Sequence, residues 1–236
     1  MMQFKWTKIT DTPLARAAIQ RMLDNFCEYK LFYHNLHHIA RMYEYLYETD
    51  EPYDECLDWA VLFHDIVYDD KPRKEYRSAL MYSDMKAQYS GCNMNILDEG
   101  HVVFLIMLTE NHLLEYPSNS AIVRADLNAL RFPTEAKENF EKIIKESMSL
   151  YKISRVNAAK GSLEFMRSFL PTIERNKIID SDNSKFWDDV IIGIKHTIVW
   201  AQECIDEHKQ LEAEYNMLSV ATTNLIADMK SALDNT

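Results

Sequence analysis

The chain has 236 residues, 47% of them hydrophobic, with a formal charge of −11 and only 4 glycines and 6 prolines. That length supports one sizeable domain, with or without a helical extension, and that apolar content excludes a mostly disordered chain. The acidic balance excludes a protein that coats duplex nucleic acid with its whole surface, but leaves room for a nucleotide met in a small positive or metal-bearing pocket.

No Asn-Gly or Asp-Gly pair occurs, so the turns that sheet proteins need every few residues are missing and long amphipathic stretches dominate. An all-α fold is expected. Cys27, Cys56, Cys92 and Cys204 are widely spaced and form no C-x-x-C pair, which argues against a zinc knuckle or a disulfide framework. Residues 1–11 carry no apolar run of the signal-peptide kind, and the longest purely apolar run, Val102 to Leu108, is far short of a membrane span. A cytoplasmic protein with no membrane partner is the expectation.

Taken in chain order, Asp11-Thr12-Pro13 opens a first helix running to about Tyr29. A second begins near Asn35 and carries Ile39, Met42, Tyr43 and Leu46 at helical spacing. Asp54 caps a third, ending near Tyr68, and Glu75 to Ser90 forms a fourth, closed by Gly91. Asn95 caps a fifth, Ile96 to Glu110, and a turn at Pro117 to Asn119 leads into a short helix, Ser120 to Leu130. Pro133-Thr134 opens a long polar helix, with a break expected near Tyr151 to Ile153 and an end at Pro171. Ser181 to Ser184 reads as a linker, and a last helix or helix pair runs from Lys185 towards Thr236. In that tail Leu211, Met217, Leu218, Val220, Leu225, Ile226, Met229 and Leu233 recur at near-helical intervals. They are expected to pack on the domain or on a second subunit, which would make a homodimer.

Four of the eight histidines lie between His34 and His64, three of them in Tyr33-His34-Asn35-Leu36-His37-His38. His34 and His38, four apart, project from one helical face at a spacing that suits a shared site, although a solvated histidine-rich helix start explains the segment equally well. A second element, Ala60-Val61-Leu62-Phe63-His64-Asp65-Ile66-Val67-Tyr68, is apolar except for its central doublet. A helix that hydrophobic is buried on most sides, and an ionised Asp65 there costs several kcal/mol unless paired or bound to a cation. A cation shared by His64, Asp65 and the preceding helix meets that cost; a buried Asp–Arg or Asp–His pair is the alternative. Asp126, among Ile122, Val123, Ala125 and Leu127, means little in isolation.

A His, then a His-Asp doublet on a buried helix, then a distant Asp resembles the signature of the HD superfamily of metal-dependent phosphohydrolases. More closely, the chain resembles the bacterial and phage group of predicted HD-superfamily phosphohydrolases. Residues 33–39 match that group's Tyr-His-Asn-x-x-His-Ile segment in full, and residues 63–69 match its Phe-His-Asp-x-x-Tyr-Asp segment. The third segment departs: Arg73-Lys74-Glu75-Tyr76-Arg77-Ser78-Ala79 has Arg and Lys where Asp and Asn are expected. Thr109-Glu110-Asn111-His112 resembles a Thr-x-x-His step, and Asp126-Leu127 resembles the terminal Asp-Leu. The resemblance covers roughly residues 15–170 and nothing comparable anchors residues 171–236.

The resemblance implies an HD-domain helical bundle over residues 1–180 with a C-terminal helical extension over 181–236. It implies metal ligands at His38, His64, Asp65 and Asp126, and a general acid at His34 by similarity to the cyclic-nucleotide phosphodiesterases; His34 and Asp65 are then the catalytic pair. The expected cofactor is one divalent ion (Mn, Fe, Co, Ni, Zn or Mg), because a mixed His/Asp site activates water and polarises a phosphoryl oxygen without choosing strictly among these metals. The expected partner is a small phosphorylated substrate, a phosphoester or phosphoanhydride of nucleotide type.

Lys71, Arg73, Lys74 and Arg77 form a cationic cluster suited to phosphate, with an ordinary solvated loop as the alternative. His112 is a candidate substrate contact or second-metal ligand, and Glu75 a carboxylate orienting an imidazole. His101, His196 and His208 are expected to be structural or exposed. Two other functions fit the same scaffold: an HD-fold di-iron oxygenase, and a binding or regulatory protein without turnover.

Overall fold

A computed structural model describes residues 5–89 and 96–234, and among these the fold is all-α. The helices are α1 (Pro13–Tyr29), α2 (Leu36–Glu48), α3 (Glu55–Phe63), α4 (Lys74–Gln88) and α5 (Ile96–Leu108), then α6 (Ser120–Leu127), α7 (Pro133–Tyr151), α8 (Arg155–Ile179) and α9 (Ser184–Asp234). Short 3-10 turns occupy Pro117–Asn119, Asn128–Arg131 and Ser181–Asn183.

Helix starts follow their capping chemistry. The Thr12 side chain accepts from the Ala15 N–H with Pro13 in the first turn, Asn35 accepts from His37, and Asp54 accepts from both Cys56 and Leu57. The expected caps at Gly91 and Asn95 lie outside the described residues. Helix ends differ from expectation wherever tertiary contacts intervene. α3 stops at Phe63 instead of near Tyr68, because the chain turns at the His-Asp doublet and its freed polar groups are met from outside: Ser78 Oγ accepts from the Val67 N–H at 3.1 Å, and Asn25 donates to the Ile66 carbonyl at 2.8 Å. α5 likewise ends at Leu108, two residues early.

The long polar stretch is two helices broken at residues 152–154, where Lys152 adopts a left-handed conformation. Pro171 does not end the second helix. It lies on an exposed face, so the carbonyl deprived of its partner meets water, and Ile173 and Asn176 are buried beyond it and keep the helix in place.

α3 is the centre of the core. Trp59 to Phe63 are all buried, and the helix touches α1, α2, α4, α5 and α6. A second apolar cluster joins Phe140 and Ile144 of α7, Ala158 and Leu163 of α8, and Ala201 and Ile205 of α9. α9 is one continuous helix with two characters. Its first half supplies Phe186, Trp187, Val190 and Ile194 to the main core. Farther on, Leu211, Met217, Leu218 and Val220 are each more than half exposed, so the expected packing of this stretch on the domain does not occur within the chain. Leu225, Ile226, Met229 and Leu233 lie outside the described side chains. No described helix is long and apolar enough to cross a membrane.

Gly193 is where α9 crosses the 3-10 turn that follows α6. A Cβ at this buried position would collide with the Leu130 backbone carbonyl. Gly193→Ala is therefore expected to destabilise the fold by about 1–3 kcal/mol, as overpacking does, measured as a lowered denaturation midpoint. The exposed α9 position Val220→Ala should leave the midpoint within about 0.5 kcal/mol.

Candidate metal centre

Three elements converge on one point. Asn35 caps α2, which places His38 one turn into the helix with its ring buried. The end of α3 brings His64 and Asp65 to the same depth, and α6 adds Asp126 from 61 residues along the chain beyond Asp65. His38 Nε2 lies 3.0 Å from Asp126 Oδ1 and 3.9 Å from Asp65 Oδ2. His64 Nε2 lies 3.1 Å from Asp65 Oδ2 and 3.9 Å from Asp126 Oδ1. Ligand atoms of His38, His64 and Asp65 all fall within 4.8 Å of one another. His38, His64 and Asp65 thus form a group that could hold a metal ion, and Asp126 lies against both imidazoles.

The chemistry of these donors fits a cation. His64 Nδ1 sits 3.0 Å from the Val61 carbonyl, which holds the proton on that nitrogen and turns Nε2 inwards as a donor atom. The Nε2 atoms of His38 and His64 are both buried and make no hydrogen bond, despite lying close to carboxylate oxygens. A buried imidazole nitrogen without a partner is costly unless an ion fills the gap. Without an ion, the counter-charge to the carboxylates comes from the imidazoles. Burial pulls the His64 pKa down, but the neighbouring Asp65 and Asp126 carboxylates outweigh it and push it up to about 10. Burial pushes Asp65 up, but His64 beside it holds it well below the usual carboxylate range. Asp126 is held low against burial too, first by its bond from His112 and then by His38 and His64. Asp65, buried, and Asp126, partly buried, call for positive charge at one point, which the imidazoles supply here and a divalent ion would supply in their place.

His112 occupies a position the sequence left open between substrate contact and ligand. Its Nε2 is 2.9 Å from Asp126 Oδ2, on the side of the carboxylate away from His38. It orients Asp126. The residue is itself held in a left-handed backbone conformation (φ 54°), and Asn176, wholly buried on α8, donates to its carbonyl at 2.6 Å.

His34 lies beside the centre, not in it. Its Nδ1 is 2.5 Å from Glu146 Oε1, and the other Glu146 oxygen accepts the backbone N–H groups of Tyr33 (2.9 Å) and His34 (3.1 Å). The Tyr68 ring stacks on the imidazole at 4.0 Å. Burial pulls the His34 pKa down, yet Glu146 outweighs it and raises it above the ordinary histidine value. Glu146 is the residue that sequence reasoning missed. The signal was a carboxylate three residues after Ile143 and four before Leu150, on the apolar side of an otherwise polar helix. The orienting role expected of Glu75 falls to Glu146; Glu75 lines the cavity, with its pKa raised by burial.

The centre opens into a cavity of about 500 Å³ whose floor includes His34, His64, Asp65, His112 and Asp126. Only one member of the expected cationic cluster reaches it. Lys74 lines the cavity, its ammonium 3.6 Å from the Tyr68 ring centre and 3.1 Å from the Tyr151 hydroxyl. Arg77 instead forks onto both oxygens of Asp69, at 2.7 and 2.6 Å. Arg73 stacks on Tyr76, and neither it nor Lys71 lines the cavity. Lys71 and Arg73 precede α4, where Arg73 takes a left-handed backbone conformation (φ 61°), and Asp69 draws Arg77 away, so the run of cations does not stay together in space.

No family model, no curated protein and no solved structure matches the chain.

An ion bound by the folded chain alone stabilises it by mass action, by about 2.7 kcal/mol at a hundred times its Kd. Mn²⁺ is expected to raise the thermal unfolding midpoint of the metal-stripped protein in a saturable way, and Asp65→Ala to abolish the response. An equal rise in Asp65→Ala would place the ion elsewhere.

Proposed function

We propose that the chain is a metal-dependent hydrolase of phosphoric esters or anhydrides, of the HD type. One observation carries this reading: the buried His38 and His64 imidazole nitrogens, which make no hydrogen bond, meet the Asp65 and Asp126 carboxylates beside a cavity large enough for a small molecule. The His-then-His-Asp-then-Asp order supports the same reading. His38, His64, Asp65 and Asp126 would hold the ion. A divalent ion in such a setting makes water more acidic and polarises a phosphoryl oxygen.

The remaining work belongs to side chains of the chain itself. Glu146 keeps a proton on His34 by pairing with Nδ1, while two backbone N–H groups fix the carboxylate in place. His34 then faces the cavity as an imidazolium and gives a proton to the departing oxygen. Tyr68, stacked on His34, fixes the ring plane. Lys74 supplies the positive charge at the cavity wall for the phosphoryl group. His112 holds Asp126 so that its other oxygen faces the centre.

Metal analysis together with phosphate release from a panel of phosphoesters and anhydrides tests this. About one divalent ion per chain and metal-dependent release are expected, with Asp65→Ala at background. Two irons per chain with oxygen-dependent turnover would favour an oxygenase, and background release from every substrate would favour a binding protein. His34→Ala is expected to cost about 10²–10⁴ in kcat with metal content unchanged. Glu146→Gln removes the charge that raises the His34 pKa. The acid form is then lost at lower pH, so the alkaline limb of the kcat profile should shift towards acid. An unmoved limb would remove Glu146 from this role.

A further inference from the structure

The metal centre accounts for one end of the cavity only. The other end is built by α7 and α8. On α8 the positions facing it are Asn157 and Ala158, Gly161 and Ser162, Phe165 and Met166, then Phe169. They recur every three or four residues, so one stripe of α8 borders the cavity; Ala158, Met166 and Phe169 are buried where it meets the core, while Asn157, Gly161 and Phe165 are exposed. On the opposite wall Ile143, Ser147 and Tyr151 of α7 face the same space at a spacing of four.

Gly161 is the informative residue. It lies well inside α8, where glycine is a poor helix former. Packing does not demand it, because a Cβ built at this position meets nothing within 4 Å. Its backbone conformation does not demand it, because its φ is not positive. What glycine leaves there is room in the cavity wall. One turn on, Phe165 is half-exposed and stacks on Phe169 with ring centres 5.2 Å apart, presenting an aromatic surface to that room. Ser162, Asn157 and Ser147 add hydrogen-bonding groups around it.

We infer that the α7–α8 end of the cavity is a subsite for an aromatic ring on the alcohol side of the phosphoester, with Gly161 making the space and Phe165 the stacking face. The inference rests on the proposed phosphohydrolase reading for the identity of the other end. The substrate class is then an organic phosphate bearing a flat ring, as opposed to inorganic pyrophosphate or a small aliphatic phosphate. Lys74, with an ion that His38, His64, Asp65 and Asp126 would hold, would bind the phosphoryl group, and the ring packs beside Gly161.

Equilibrium binding of two non-hydrolysable probes, phenylphosphonate and methylphosphonate, tests the subsite by calorimetry on the full chain with and without Mn²⁺. The parent is expected to prefer the phenyl probe by roughly tenfold or more, as apolar pockets do for a filled over an unfilled site. Gly161→Leu, which fills the space, should bring the two probes to near-equal affinity and leave methylphosphonate binding unchanged. Its thermal unfolding midpoint should be at or above that of the parent, because leucine is the better helix former. Phe165→Ala should reduce the phenyl preference in the same direction.

Equal affinity of the two probes for the parent, no measurable phenylphosphonate binding, or a preference untouched by Gly161→Leu would each overturn the subsite. Failure of the metal reading looks different: Mn²⁺ then changes the affinity of neither probe, while the phenyl-to-methyl ratio still reports on the wall.

Discussion

Two carboxylates, Asp65 buried and Asp126 partly buried, meet at one point in an apolar core, and the site depends on how their charge is met. Asp65 and Asp126 come from different helices, yet both face the Nε2 atoms of His38 and His64 at between 3.0 and 3.9 Å. Such a cluster is unfavourable without a counter-charge, since desolvation penalises every ionised group in it. The surrounding architecture reads as a response to that constraint. α3 carries the doublet through the middle of the core, and its end is pinned by Asn25 and Ser78 so that both side chains stay on the centre. His112, itself clamped by Asn176, fixes the second carboxylate.

The same logic organises the cavity. Next to the charged floor sits a second imidazole–carboxylate pair, His34 with Glu146, set apart from the first by its own backbone hydrogen bonds. In both pairs the carboxylates outweigh burial and raise the imidazole pKa. The opposing wall is apolar and contains a glycine that packing does not need. Charged groups at one end and a wall of aromatic, aliphatic and small polar side chains at the other make the cavity asymmetric.

Local sequence chemistry made much of this legible. Thr12, Asn35 and Asp54 cap the helices that their residue types suggest, and the His-Asp doublet sits in the buried segment that its apolar neighbours imply. His38, His64 and Asp65 come together in a group that could hold a metal ion, with Asp126 beside them. Misreadings fall where a distant residue decides the outcome. α3 ends early because Ser78 and Asn25 take over its hydrogen bonding, and α8 passes Pro171 because Ile173 and Asn176 are buried beyond it. Arg77 leaves the expected phosphate cluster because Asp69 is in reach of both its nitrogens.

Residue order alone determined the all-α class, the helix starts and the identity of the groups able to hold a cation. These depend on caps, periodicity and side-chain chemistry, which act over one or two turns. Only the tertiary structure decided that Glu146, not Glu75, partners the imidazole of His34, that His112 serves Asp126, and that Lys74 alone of its neighbours reaches the cavity. Each of those pairings depends on how helices cross. Crossing is set by packing between segments far apart in the chain, such as the close approach of Gly193 to Leu130, and no local pattern encodes it.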